Sequence, residues 1–330
     1  MVGSVPTLQN SMNPELSVVI PIYNEQDGLA YLFARLYPAL DKLAAEGISY
    51  ECVFINDGSR DQSATILSDQ FRTRPDVTRV VLFNGNYGQH MAILAGFQAS
   101  RGNIVVTLDA DLQNPPEEIS ALVKKIQEGY DYVGSIRKRP QHSLWRTWAS
   151  KANNYLRERI THIKITDQGN MLRAYGRNVI DLINQCSEIN TFVPALAYTF
   201  STRPTEIVVE HEERAAGVSN YSFYSLIRLN FDLMTGFSIV PLQMFSMLGM
   251  IMSVGSGLLV VLLLFRRFML GAEAEGLFTL FAISFFLMGT ILFGIGLLGE
   301  YVGRIYQQVQ GRPRFVVQTI LEKNDGQNDG

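Results

Sequence analysis

Five short apolar runs, each closed by polar or glycine-bearing residues, set the first constraint on how this chain can fold. They cover residues 16–24, 50–55, 79–83, 104–108 and 130–136. Between them lie stretches of helical periodicity at 29–43, up to about Phe71, and at 91–99. Asp61 stands where a helix cap is expected, and Pro115-Pro116-Glu117-Glu118 suits the first turn of another helix, where proline fits and acids meet the positive end of the dipole. Strands alternating with helices at this spacing predict βαβ units and a mostly parallel sheet. The runs end in Asn24-Glu25, Asn56-Asp57-Gly58-Ser59, Asn84-Gly85-Asn86-Tyr87-Gly88, Asp109 with Asp111, and Arg137. Ligands of open α/β sheets bind outside the carboxyl ends of the strands. Several such ends carrying chemistry on one edge is a stronger signal than any single motif.

The fourth run delivers the strongest chemistry, Val105-Val106-Thr107-Leu108-Asp109-Ala110-Asp111-Leu112-Gln113. Two carboxylates two residues apart repel unless a cation or a donor network joins them. A hard divalent ion such as Mg2+ takes oxygen ligands and commonly bridges carboxylate to substrate phosphate. The spacing therefore predicts a metal-assisted diphosphate site, against the plainer reading of an Asp-rich turn. No Gly-x-Gly-x-x-Gly follows the first run and no Walker loop is present, which disfavours a dinucleotide or P-loop site. Metal and arginines are left to handle the phosphates.

Residues 143–200 read as helix, short strand and helices, with a turn at Asp167-Gln168-Gly169-Asn170 before Met171-Leu172-Arg173-Ala174-Tyr175. Ile207-Val208-Val209 is a further strand, followed by a polar loop through Arg214, Gly217, Ser219 and Asn220. His211 reads as a structural or surface histidine. Beyond residue 235 the composition changes. The chain is 47% hydrophobic and 18% charged, and the apolar excess collects there. Residues 221–237 interleave Phe223, Leu226, Ile227, Phe231 and Met234 with Arg228 and Asp232, as an interfacial amphipathic helix would. Residues 239–265 and 277–298 are each long enough to cross about 30 Å of hydrocarbon, and predict two transmembrane helices. Gly249, Ser253 and Gly257 suit close helix packing; Gly289, Gly294 and Gly296 lack that regular spacing. The distribution of Arg and Lys places both termini in the cytoplasm, with residues 301–330 as a cytoplasmic tail.

A net charge of −3 without a basic-aromatic stripe argues against nucleic acid as a partner. Cys52 and Cys186 form no metal-type spacing and read as reduced, buried thiols. Residues 1–14 are polar and lack the apolar core of a signal peptide, so a flexible N-terminus is expected.

These residues resemble a known family. Pro21-Ile22-Tyr23-Asn24-Glu25, Asn56-Asp57-Gly58-Ser59 and Asp109-Ala110-Asp111-Leu112-Gln113 look like the three strand-end motifs of inverting family 2 glycosyltransferases with the GT-A fold, a Rossmann-like α/β domain. The two C-terminal apolar runs resemble the membrane anchor of the polyprenyl-phosphate glycosyltransferase branch. Asn86-Tyr87-Gly88-Gln89-His90, the run from Asp111 to Ile119, Met171–Tyr175 and the run from Leu298 to Tyr306 are most similar to bacterial enzymes that move 4-deoxy-4-formamido-L-arabinose to undecaprenyl phosphate, a step of lipid A modification and polymyxin resistance.

The resemblance implies a catalytic domain over residues 15–220, a UDP-sugar donor, Mg2+ or Mn2+, a bacterial inner-membrane location and a homo-oligomer such as a tetramer. It implies that Asp57 bonds the uracil and that Pro21, Tyr23 and Glu25 line the nucleoside pocket. Asp109, Asp111 and Gln113 would hold nucleotide and metal, with Arg137 and Arg139 near the phosphates. Asp167 matches the position proposed as base in relatives, and Arg214 and Ser219 match the loop that meets the lipid phosphate. Relatives carry Ser-Lys-Tyr-Ser-Phe where this chain has Ser219-Asn220-Tyr221-Ser222-Phe223, one cation fewer. The alternatives are a sister transferase of glucose or mannose, and a non-enzymatic membrane scaffold. A processive synthase needs more membrane helices and a Gln-x-x-Arg-Trp motif that this chain lacks.

Overall fold

The structure, a computed structural model, describes residues 13–137, 163–188, 192–212, 240–270 and 277–323. They fall into two compact units, with residues 240–270 and 277–312 in the second and the rest in the first. The first unit is built on one eight-stranded sheet. Its strands are β1 Leu16–Ile22, β2 Tyr50–Asn56, β3 Thr78–Phe83, β4 Ile104–Thr107, β5 Tyr132–Arg137, β6 Arg173–Gly176, β7 Pro204–Val209 and β8 Val317–Leu321. Their spatial order is β7-β5-β6-β4-β1-β2-β3-β8.

The first three strands and β4 run parallel, as the continuous apolar runs predict for strands covered on both faces. β6 is antiparallel to both β4 and β5, so β5 points the same way as β4. The ends of β1 to β5 therefore emerge on one edge. β8 is antiparallel to β3 and occupies the end of the sheet, so the segment expected as a plain tail contributes a strand.

Helices α1 Leu29–Ala45, α2 Ser63–Thr73, α3 Gln89–Ala99, α4 Ile119–Gln127, α5 Arg177–Gln185 and α6 Val193–Phe200 cover the sheet. α1 buries Leu29, Leu32, Leu36, Leu40 and Leu43, a stripe at helical spacing. α3 is buried from Met91 through Phe97 and lies against β1, where a Cβ on Gly96 would stand 2.1 Å from Val19 Cγ1. Cys52 is buried as expected; Cys186 is not, because it sits just past the end of α5, partly exposed.

The second unit holds two helices, α7 Val240–Leu270 and α8 Leu277–Val309, each longer than the apolar run that foretold it. Phe245 of α7 meets Phe293 of α8 at 5.8 Å between ring centroids. A Cβ on Gly294 would stand 2.1 Å from Phe245 Cε1, whereas one on Gly249 would meet open space. Close packing thus falls at Gly294, while a Cβ on Gly289 or Gly296 would also meet open space. Among the described residues one segment, Ile283–Val309, is long and apolar enough to cross a membrane, and the apolar stretch Leu242–Met252 of α7 is shorter. The expected interfacial helix at 221–237 lies outside the described residues.

Candidate active site

Loops from β1, β2 and β3 are tied into one rim. After β1, Asn24 takes φ 54° and accepts the Arg60 N–H at 2.8 Å, while its own N–H donates to Ser59 Oγ at 3.0 Å. Glu25 N–H donates to Ser63 Oγ at 3.0 Å, and the Asp61 carboxylate accepts from Gln26 and Ser63 N–H. After β2, Asp57 is buried, with one carboxylate oxygen accepting Tyr87 N–H at 2.6 Å and the other Gly88 N–H at 2.8 Å. Burial pushes its carboxyl up, and the two amides pull against that. In this structure Asp57 clamps the β3 loop, so a uracil would have to use its remaining lone pairs. Pro21, Tyr23 and Glu25 stand on the same rim, with Tyr23 exposed.

The loop after β4 carries the acid pair. Asp109 Oδ1 accepts from Gln89 Nε2 at 2.6 Å, and Asp111 Oδ1 accepts the Gln113 N–H at 3.1 Å. Leu112 between them has φ 58°, a conformation that leucine rarely adopts. Asn24 and Leu112 are the only non-glycine residues with positive φ among those described, and both stand at strand ends on this edge. Backbone strain of this kind gathers at functional sites. The Asp109 carboxyl is pushed up to about 7 by burial and by the facing Asp111, with Arg137 and Gln89 pulling it down. A carboxylate so disfavoured is relieved by a cation. Among the described residues no group of three or more His, Cys, Asp or Glu could hold one. Asp109 and Asp111, with the Gln113 amide, are a partial oxygen ligand set, which fits an ion completed by diphosphate and water.

Arg137 ends β5. Its Nε and Nη2 each lie 2.8 Å from a different oxygen of Asp167, a bidentate pair that the Arg137 N–H extends at 3.3 Å. Hydrogen bonding to Asp167 raises the guanidinium's pKa above its ordinary value, and the charges of Asp109 and Asp111 add to that. A Cβ on Gly169 would stand 2.9 Å from Arg137 Nη2, so the turn leaves room for the guanidinium.

Sequence reasoning assigned no role to Gln89, which holds Asp109, or to Arg173, which is wholly buried. Arg173 donates to the Asn170 carbonyl at 2.8 Å, the Asp167 carbonyl at 2.6 Å and the Tyr132 hydroxyl, and so fixes the 167–170 turn from beneath. A charge inside the apolar stretch Met171–Tyr175 was the available signal. His90, beside Arg173, is pushed down to about 4 by burial first and that cation second. The structure thus gathers Pro21, Tyr23, Glu25, Asp57, Asp109, Asp111, Gln113, Arg137 and Asp167 on one sheet edge; Arg139, Arg214 and Ser219 lie outside the described residues.

Fold and strand-end chemistry together define the class, an α/β transferase that works on a nucleotide-sugar. Residues 17–183, just over half of the chain, match the family described as Glycosyl transferase family 2. The chain belongs to glycosyl transferase family 2 and has the GT-A fold of that family. Three solved structures are similar to it. Glucosyl-3-phosphoglycerate synthase from Mycobacterium tuberculosis, in complex with phosphoglyceric acid, is 17% identical with a TM-score of 0.44, over 67% of this chain and 78% of that one. Mannosyl-3-phosphoglycerate synthase from Rubrobacter xylanophilus is 15% identical with a TM-score of 0.44, over 66% and 71%. A mannosyltransferase from Pyrobaculum calidifontis, in complex with GDP-Man and Mn2+, is 18% identical with a TM-score of 0.44, over 72% and 64%.

Proposed function

We propose that this glycosyltransferase moves a sugar, 4-deoxy-4-formamido-L-arabinose by its motif resemblance, from a UDP-sugar to undecaprenyl phosphate. The observation that carries this reading is the acid pair of β4 beside the Arg137–Asp167 pair, in a chain whose other unit is two long apolar helices. The donor's nucleoside would lie on the rim of Pro21, Tyr23, Glu25 and Asp57. Mg2+ or Mn2+ held by Asp109, Asp111 and Gln113 would neutralise charge on the departing diphosphate. Arg137 adds a fixed positive charge where negative charge develops.

The acceptor is a phosphate monoester with a second pKa of about 6, largely anionic at pH 7. Its oxygen attacks the anomeric carbon as the bond to the UDP oxygen breaks, which inverts the centre and leaves UDP and a polyprenyl-phosphoryl sugar. No proton need be removed. Asp167, with both carboxylate oxygens on Arg137, then orients that arginine rather than acting as base.

Arg139, Arg214 and Ser219 would meet the lipid phosphate. The apolar helices would hold the site at the cytoplasmic face of a bacterial inner membrane, with both termini cytoplasmic and the protein a homo-oligomer such as a tetramer. β7 and β8 support a hairpin. They flank the helices in sequence yet belong to one sheet, so any membrane crossings between them must be even in number.

The test is incubation of the purified protein with undecaprenyl phosphate, Mg2+ or Mn2+ and a panel of UDP-sugars and GDP-mannose, with mass analysis of the lipid product. The formamido-arabinose product is expected; a hexosyl lipid alone would assign a sister transferase. Asp111→Ala should abolish turnover while the protein still reaches the membrane, and unchanged turnover would refute the metal-assisted reading.

A further inference from the structure

The geometry points to Phe315, far along the chain from every strand-end motif, as a positioning residue for the donor nucleoside. This rests on the nucleotide reading of the rim. β8 extends β3 with Val80 opposite Leu321, Val81 opposite Ile320 and Leu82 opposite Thr319, and the register shifts between Leu82 and Phe83. At that shift Asn84 N–H donates to the Val316 carbonyl at 3.2 Å. The Phe315 ring stacks on Phe83, with centroids 5.0 Å apart and planes 12° apart. Phe83 is buried, and on its other contact the Tyr87 ring meets it edge-on at 5.7 Å.

Tyr87 is the residue through which the stack reaches the site. Its hydroxyl donates to Asn84 Oδ1 at 2.7 Å and its N–H donates to Asp57 at 2.6 Å. Gly88 N–H completes the clamp on Asp57 at 2.8 Å. The two loops touch through backbone, since a Cβ on Gly58, at φ +64°, would lie 2.3 Å from the Gly85 carbonyl carbon. Loop movement at 84–88 therefore displaces Asp57 and Gly58 with it. Phe315 lies two residues before β8, in a segment fastened on both sides. Arg314 donates to the Cys186 carbonyl; Glu322 pairs with Arg79 at 3.3 Å and Arg101 at 2.8 Å, and Lys323 pairs with Asp76.

An aromatic link that holds a binding loop acts on the ligand of that loop and not on the other substrate. The experiment uses full-length protein in detergent. It measures UDP affinity with Mn2+ by calorimetry and the KM for undecaprenyl phosphate, for wild type, Phe315→Leu, Phe315→Tyr and Ile320→Ala. Ile320 lies within β8, just after Phe315, with 48% of its surface exposed, and serves as the control for the strand as a whole. Loss of the stack in Phe315→Leu should weaken UDP binding about three- to tenfold, the scale of one aromatic pair. The acceptor KM should stay unchanged, Phe315→Tyr should restore UDP affinity, and Ile320→Ala should match wild type. UDP affinity unchanged in Phe315→Leu, or weakened equally by Ile320→Ala, overturns the assignment while the nucleotide reading stands. Failure of the wild type itself to bind UDP overturns both.

Discussion

Arg137 is held by Asp167 through two nitrogens, and this decides what either residue can contribute. With both carboxylate oxygens taken up by one guanidinium, Asp167 is placed to orient Arg137. Replacing Arg137 by Ala should lower kcat by about 10²–10³-fold, as loss of one preorganised donor does elsewhere. Asp167→Asn loosens the fork and should lower kcat less, and its pH profile should keep the shape of the wild type. Steady-state rates from pH 5 to 8 check this; an acidic limb that vanishes with Asp167 would restore it as a base. A second aspartate has a purely structural task. Asp131, at the mouth of β5, accepts from the Thr202 and Arg203 N–H groups at 2.7 and 2.9 Å and from the hydroxyls of Ser201 and Thr202. Burial alone would raise its carboxyl, but these donors outweigh burial and hold it below the usual range. A depressed folded-state pKa means that the stabilisation is present above about 3.9, the unfolded value, and is lost as pH falls through the folded one. Asp131→Asn turns an NH2 toward donors that now meet a carboxylate oxygen, and should destabilise the protein by about 1–3 kcal/mol at pH 7. Thermal unfolding at pH 7 and pH 3 should show the gap between variant and wild type closing in acid.

α3 packs so closely on β1 that the usual effect of a glycine substitution reverses. Within a helix, Gly→Ala ordinarily gains about 0.5–1 kcal/mol. At Gly96 the new methyl would stand 2.1 Å from Val19 Cγ1, in a core where Val19 is wholly buried. Overpacking of this kind costs about 1–3 kcal/mol. Gly96→Ala should lower the unfolding midpoint, and Val19→Ala in the same chain should recover part of the loss; additive effects of the two changes would show that they do not touch. Such contacts between elements were invisible in the sequence, whereas the elements were mostly plain. β1 to β5 were legible because each is a mainly apolar run closed by a polar end. The acid pair was legible because its carboxylates are two residues apart. The Arg137–Asp167 pair, 30 residues apart, was read as two separate residues, and the clamp of Asp57 on the 87–88 amides had no side-chain signature at all. β8 has the β-branched composition of a strand, Val317, Thr319 and Ile320, but its partner β3 lies far back along the chain, and a strand is recognised by its partner as much as by its residues.

The order of the chain constrains how the molecule can meet a bilayer. The chain leaves the sheet after Val209 of β7, runs through α7 and α8, and re-enters the same sheet at Val317 of β8. A single crossing would strand β8 across the membrane from β3, at the loss of a full ladder of hydrogen bonds. Ile283–Val309 is apolar and mostly unburied, so it presents its apolar surface outward over a length sufficient to span. If α8 crosses, a second crossing between β7 and β8 must accompany it, and α7 is the long described helix there. Bulky side chains along α7 have the matching exposure, with Met247 at 63%, Ile251 at 65% and Leu258 at 67%. A single-cysteine tag inserted between Leu270 and Leu277, in a chain with Cys52 and Cys186 replaced by Ser, should react with a membrane-impermeant maleimide on intact spheroplasts. The same tag placed after Lys323, beyond β8, should react only after lysis. Labelling of both tags, or of neither, before lysis would mean that the helices do not cross as a pair, and that a second copy or the surface of the bilayer covers their apolar faces instead.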